Sequence, residues 1–171
     1  MFGPMLRRVV GAALLGVVAV ETLTGCTVES GAVAGVGVDA DGNSVGYLQV
    51  CVGDAHIDGA TVYTDGANDN LGSWQSSTPV DDFTSWSMTE PDGGWRTLTP
   101  LATLKDKQYA LYGWTKDDTW SAVDVTFRAD DLARLEPGQV LYSKYDGSVG
   151  SESGAVVDVQ QFRDTACDTW F

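Results

Sequence analysis

The segment that decides the fold reads QYALYGWT (108–115), KDD (116–118) and TWSAVDVTF (119–127). Apolar and polar residues largely alternate in the two outer runs, which is the period of a β-strand with one buried face. The three polar residues between the runs are typical of a turn. The segment therefore predicts two antiparallel strands joined by a short turn.

Strand-like runs continue on both sides of this pair. A hairpin is predicted over 33–39 and 45–52, because an Asp-Gly turn separates two apolar runs. Further strands are predicted over 60–63, 83–88, 95–98, 139–145 and 155–162, and the polar stretch 67–79 is predicted to be a loop. Residues 130–135 are the helix candidate, with acids at the start and Pro-Gly after the end. Many short strands separated by turns predict an all-β sandwich or barrel with one short helix.

A local motif favours one kind of sandwich. The segment LATLKDKQYAL (101–111) resembles the corner before strand F in fibronectin type III and other immunoglobulin-like domains. In that corner a leucine and a polar turn precede a tyrosine, whose hydroxyl hydrogen-bonds to the backbone of the corner. The resemblance implies an immunoglobulin-like antiparallel β-sandwich in which Tyr109 is the corner tyrosine.

The N-terminus has the pattern of an export signal. Arg7 and Arg8 precede an uncharged apolar run over 9–20, which is shorter than the roughly 20 residues of a membrane-spanning helix. The tetrad LTGC (23–26) resembles the bacterial lipobox. The resemblance implies that residues 1–25 are a lipoprotein signal peptide and that the Cys26 thiol is acylated, palmitate being a typical chain. An ordinary secretory peptide and an uncleaved anchor are the alternatives.

The chain as a whole resembles the small cell-surface lipoproteins of actinobacteria. That resemblance implies an extracytoplasmic, lipid-anchored protein, with the bilayer as its first partner through acylated Cys26. Two acyl chains hold a protein stably on a membrane where a single chain binds only marginally. We expect a short tether over 26–32 and a single β-sandwich domain over 33–171.

Two further cysteines, Cys51 and Cys167, remain after Cys26. An even pair in an exported protein predicts a disulfide, since thiols outside the cytosol oxidise. A metal-binding or redox-active pair is the alternative, and one histidine in the whole chain gives it little support. The disulfide would tie the end of the second strand to the C-terminal tail.

The charge balance excludes one class of partner. The chain has 24 acidic and 10 basic residues, a formal net charge of −14. Such a surface repels phosphate, so nucleic acid is not expected as a partner.

Neither possible catalytic motif lies in the structural context that its chemistry requires. The sequence GNSVG (42–46) matches the G-x-S-x-G nucleophile elbow, but Ser44 lies between a hairpin turn and a strand instead of a strand and a helix. His56 could act as a base oriented by Asp54 or Asp58, but no serine is placed beside it. We therefore expect no catalytic residues.

Two loops are rich in oxygen ligands. The first is DADGN (39–43) and the second contains Asp65, Asn68, Asp69 and Asn70. Neither has the spacing of an EF-hand, so ordinary Asx turns are favoured over a calcium site. No metal or cofactor is expected.

The six tryptophans allow two interpretations. Trp114 and Trp120 flank the turn at 116–118 and could form a platform on which sugar rings stack. The alternative is that tryptophans fill the core of the sandwich and form cross-strand pairs. The sequence thus predicts a non-catalytic surface module, with polysaccharide or a surface protein as its ligand. A hydrolase acting on cell-wall or extracellular material is the alternative function, and the oligomeric state stays open.

Overall fold

The computed structural model describes residues 28–67, 69–145 and 152–171, and most of them lie in strands, as the alternating sequence predicts. The strands are β1 (Glu29–Val38), β2 (Ser44–Val50), β3 (Ile57–Thr64), β4 (Asn70–Val80), β5 (Phe83–Ser87), β6 (Trp95–Thr99), β7 (Tyr109–Trp114), β8 (Trp120–Val123), β9 (Val125–Phe127), β10 (Gln139–Tyr145) and β11 (Glu152–Asp158). The helices are α1 (Ala129–Leu132) and α2 (Val159–Thr165), and a 3₁₀ turn covers Cys167–Thr169. The all-β prediction is confirmed, and α1 is the predicted short helix.

The strands form two packed layers that share β1. One edge of β1 pairs with β2. The other edge pairs first with β8, in parallel, and then with β10, antiparallel. Sheet 1 is therefore β5-β2-β1-β10-β11, and sheet 2 continues from the first half of β1 through β8 and β9 to β7, β3, β4 and β6.

The main core lies between the two sheets. Leu48 of sheet 1 reaches Gly113 of sheet 2, where an added Cβ would lie 3.0 Å from the leucine side chain. Three tryptophans fill much of this core: Trp74, Trp86 and Trp95 are all buried, and the rings of Trp86 and Trp95 stack with centroids 4.2 Å apart. These three tryptophans thus follow the core-packing interpretation.

A second, smaller core covers the other face of sheet 1. Phe162 of α2 packs there with Val33, Tyr47, Val140 and Tyr142. Because both faces of β1 are covered, positions 31–38 are all buried. This accounts for the small residues of β1: at Gly35 an added Cβ would lie 2.5 Å from Val140 Cγ1.

The disulfide between Cys51 and Cys167 is present, as predicted, with Cα atoms 5.4 Å apart and a sequence separation of 116. Cys51 directly follows β2, and Cys167 follows α2. The bond therefore holds the C-terminal segment over the outer face of sheet 1.

The corner tyrosine is also where the resemblance places it. The hydroxyl of Tyr109 accepts a hydrogen bond from the backbone N–H of Lys105 at 2.6 Å and donates to its carbonyl at 3.2 Å. The strand order β9-β7-β3-β4 corresponds to the order G-F-C-C′ of immunoglobulin-like sandwiches. Strands β10 and β11 extend sheet 1 beyond β1, and β6 extends sheet 2 beyond β4.

The structure corrects three local predictions. The stretch 67–79 is not a loop, because β4 begins at Asn70 and pairs with both β3 and β6. The strand predicted over 155–162 ends at Asp158, whose carboxylate caps α2 by accepting from Gln161 N–H at 2.8 Å. Residues 29–32 belong to β1 instead of the predicted tether.

Candidate ligand-binding surface

The outer face of sheet 2 presents a group of aromatic side chains. Successive residues of a strand point to opposite faces. Because Ala60, Val62 and Leu111 point into the core, the residues between them on β3 and β7 point outward. Tyr63, Tyr112 and Trp114 are the aromatic residues of this set, and all three are half-buried. We refer to these three side chains as the aromatic surface.

Trp114 is fixed flat against the sheet. It is the cross-strand partner of Gly59, and an added Cβ on that glycine would lie only 2.2 to 2.7 Å from atoms of the indole. The indole Nε1–H donates to Thr61 Oγ1 at 2.9 Å. One face of the ring is therefore held against the backbone of β3, which leaves the opposite face toward solvent.

The two tyrosines border a shallow concavity of about 470 Å³, lined by Thr61, Tyr63, Asn70 and Tyr112. The rings of Tyr63 and Tyr112 pack edge to face, with centroids 5.6 Å apart. Asn70 accepts from the N–H of Gly72 at 3.1 Å through Oδ1. The concavity therefore combines ring faces with hydroxyl and amide groups that can hydrogen-bond to a ligand.

Burial and nearby carboxylates shift the pKa values of the tyrosines on this surface. Burial, followed by the charges of Asp124 and Asp65, raises the pKa of Tyr63 to about 12. Burial and the charge of Asp118 raise the pKa of Tyr112. The pKa of Asp124 is itself raised, mainly by burial. Both tyrosine hydroxyls are therefore protonated donors at neutral pH.

The two tryptophans predicted as a platform lie on opposite faces of sheet 2. Trp120 packs against the main core, and its ring lies over Gly31, where an added Cβ would be 2.8 Å from Cε3. The turn at 116–118 joins their strands, as predicted. Sequence reasoning overlooked Tyr112, although it stands two residues before Trp114 on the same strand and so shares its face. Tyr63 could be found only from the pairing of β3 with β7.

Ser44 and His56, which the sequence analysis considered as a possible nucleophile and base and set aside, are far apart. Ser44 pairs with Val38 at one end of β1, whereas Ala55, the neighbour of His56, packs against Gly31 near the other end. The seven residue steps from Gly31 to Val38 span about 20 Å at roughly 3.3 Å per residue. The carboxylate of Asp58 accepts from Lys116 N–H at 2.9 Å and lies 3.9 Å from His56 Nε2. Asp58, which is 5% exposed, thus anchors the turn at 116–118.

The first oxygen-rich loop is an Asx turn, as predicted. Asp39 accepts from the backbone N–H groups of Asp41 and Asn43 at 2.9 and 2.8 Å, and from Asn43 Nδ2 at 3.0 Å. The side-chain bond from Asn43, with the backbone bonds, lowers the pKa of Asp39. The second loop includes Asn68, which lies outside the described residues. Within the described ranges no three His, Cys, Asp or Glu side chains are grouped as a metal site would require.

A second concavity, of about 550 Å³, lies at the end of the sandwich near the β1–β2 hairpin. Its lining includes Val38 and the four leucines at 101, 104, 132 and 135. This groove is mainly aliphatic and lacks the aromatic faces found on sheet 2.

The chain matches no protein family, no curated protein and no solved structure. Of the helices in the described part of the chain, none is both long enough and apolar enough to cross a membrane. The predicted signal peptide, the lipobox and Cys26 all lie outside the described residues.

Proposed function

We propose that the protein is a non-catalytic binding module of a bacterial cell surface, of the actinobacterial lipoprotein type, held on the extracytoplasmic face of the membrane by acylated Cys26. Its ligand is a polysaccharide that lies on the aromatic surface. The observation that carries the proposal is the solvent-facing side of Trp114, beside Tyr112 and Tyr63 on a rigid sheet.

The chemistry of this surface suits sugar rings. A pyranose ring has apolar C–H faces that pack on aromatic rings, and hydroxyls at its edge that need hydrogen-bond partners. Trp114 and the tyrosines offer ring faces of that kind, while Thr61 and Asn70 line the adjoining concavity. Residues on paired strands also lose little conformational freedom when a ligand binds, because the sheet already holds them.

Two further features support the location and the absence of catalysis. The disulfide between Cys51 and Cys167 is typical of compartments outside the reducing cytosol. The separation of Ser44 from His56 favours a binding module over the alternative, a hydrolase acting on cell-wall material.

Binding is tested by affinity electrophoresis and calorimetry with soluble polysaccharides. We expect Trp114→Ala to weaken binding at least tenfold, because it removes the exposed indole face. Trp120→Phe is the matched control: it alters an indole on the opposite face and should leave the affinity unchanged. A folded Trp114→Ala variant with wild-type affinity would contradict the proposed surface.

The anchor is tested separately in cells. Metabolic labelling with palmitate should mark the wild-type protein and not Cys26→Ala, and the variant should leave the membrane fraction. Failure of the wild-type protein to incorporate label would overturn the lipid anchor and leave the binding surface to be judged by its own experiment.

A further inference from the structure

Three carboxylates stand around the aromatic surface, each on a different element. Asp118 is in the turn that follows Trp114. Asp124 occupies the interruption between β8 and β9, where the flanking pairs Trp114–Ser121 and Leu111–Val125 place it alongside Tyr112. Asp65 follows the end of β3, two residues after Tyr63. A ligand on the aromatic surface therefore meets negative charge on several sides.

Two basic side chains of the described residues near this surface offset the carboxylates only in part. Lys116 has its ammonium 3.7 Å from Asp58 Oδ1, and that buried carboxylate neutralises it. Arg96 donates to the neutral side chain of Gln75 on β4 and keeps its positive charge, but it lies on the edge strand β6, two strands away from Tyr63. The faces of aromatic rings are themselves negative and attract ammonium groups. The whole chain adds to this effect with its formal charge of −14.

We infer that the aromatic surface selects glycans with free amino groups, accepts neutral glycans more weakly and rejects acidic ones. This inference rests on the proposed function, and it specifies the class of polysaccharide. A protonated amine on a sugar stacked over Trp114 and Tyr112 gains attraction from the ring faces and from Asp124 together. A uronic acid or a sulfated sugar in the same position is repelled by both.

The experiment uses three tetrasaccharides that differ in charge: a glucosamine tetrasaccharide, its fully N-acetylated form, and an acidic tetrasaccharide. Calorimetry at low salt and slightly acidic pH, where the amines are protonated, should rank their affinities in that order. We expect about a tenfold step between the amine and the N-acetylated form. Added salt should reduce that step, because salt screens exposed charges.

Asp124→Asn and Asp164→Asn separate local recognition from general attraction. Each removes one negative charge, but Asp164 is on α2, which packs on sheet 1. Asp124→Asn should reduce the preference for the amine at least threefold, while Asp164→Asn should leave it unchanged. Equal effects of the two variants would overturn the inference, since they would show attraction to the whole charged molecule.

Two outcomes distinguish this inference from the proposed function. If the N-acetylated or acidic tetrasaccharide binds as tightly as the amine, and Trp114→Ala abolishes that binding, charge selection is wrong and the glycan surface stands. If none of the three binds, and the polysaccharides tested above do not bind either, the proposed function itself fails.

Discussion

Replacing Tyr109 with phenylalanine tests whether the corner before β7 is held as the sequence resemblance implies. The substitution removes only the hydroxyl, which accepts from Lys105 N–H and donates to Lys105 C=O. A hydrogen bond contributes roughly 0.5 to 1.5 kcal/mol net. Because Lys105 is exposed, water can replace part of the loss, and the free energy of unfolding should fall by about 1 kcal/mol.

The measurement is urea denaturation with the disulfide intact. The midpoint should fall with no change in the denaturant slope, since the buried ring keeps its packing on Phe127. The melting temperature should fall by about 2 to 4 °C. Tyr145→Phe is the control, because that residue is 39% exposed, and it should have almost no effect. No loss in Tyr109→Phe, or a loss above about 3 kcal/mol, would refute the reasoning.

Three further predictions concern the disulfide, a buried tryptophan and a tyrosine. Cys167→Ser should destabilise the protein by about 2 to 5 kcal/mol in equilibrium unfolding; unchanged stability would contradict a structural role for the bond. Gly46→Ala places a Cβ 2.3 Å from the buried ring of Trp86 and should cost about 1 to 3 kcal/mol, whereas Gly53→Ala, with no atom within 4 Å, should be nearly neutral. Tyr63 should ionise near its pKa of about 12 in ultraviolet titration. Since this pKa is raised on folding, the free energy of unfolding should decline as the pH rises from 10 toward 12. Tyr63→Phe should remove the part of this decline that Tyr63 causes.

Sequence reasoning worked best where one local signal determines the structure. Alternation of apolar and polar residues on both sides of a polar turn predicted the pairing of β7 with β8 and β9. An Asp-Gly turn between two apolar runs predicted the pairing of β1 with β2. The cysteine count predicted the disulfide, and an eleven-residue motif predicted the role of Tyr109. These features depend on residues close in sequence or, for the disulfide, on the pair of cysteines that remains when Cys26 is set aside as the lipobox resemblance implies.

Sequence reasoning failed where contacts between residues far apart in the sequence determine the secondary structure. Strand β4 contains three serines, a threonine and a glycine, so its sequence is typical of a loop. Pairing along both edges and burial of Trp74 nevertheless make it a strand. The apolar alternation of β11 runs on into α2, and only the cap at Asp158 marks the change. Burial of Phe162 against sheet 1 then stabilises a short helix that would be marginal alone.

The candidate surface was predicted in part. Trp114 was identified, because aromatic residues beside a turn are visible in the sequence. Trp120 was paired with it, although their relative position on the two strands places them on opposite faces. Tyr63 comes from a strand about fifty positions earlier, and only the register of β3 with β7 brings it to the same surface.

The sharing of β1 between both sheets has a mechanical consequence. Any pulling force applied through the N-terminal segment enters the described domain near Glu29 and acts along β1. This strand is hydrogen-bonded to β2 on one edge and to β8 and β10 on the other. A load directed along β1 is therefore carried in shear, with several ladders of hydrogen bonds loaded at once. If the chain is anchored through its N-terminus as proposed above, such a force reaches its most deeply buried strand first.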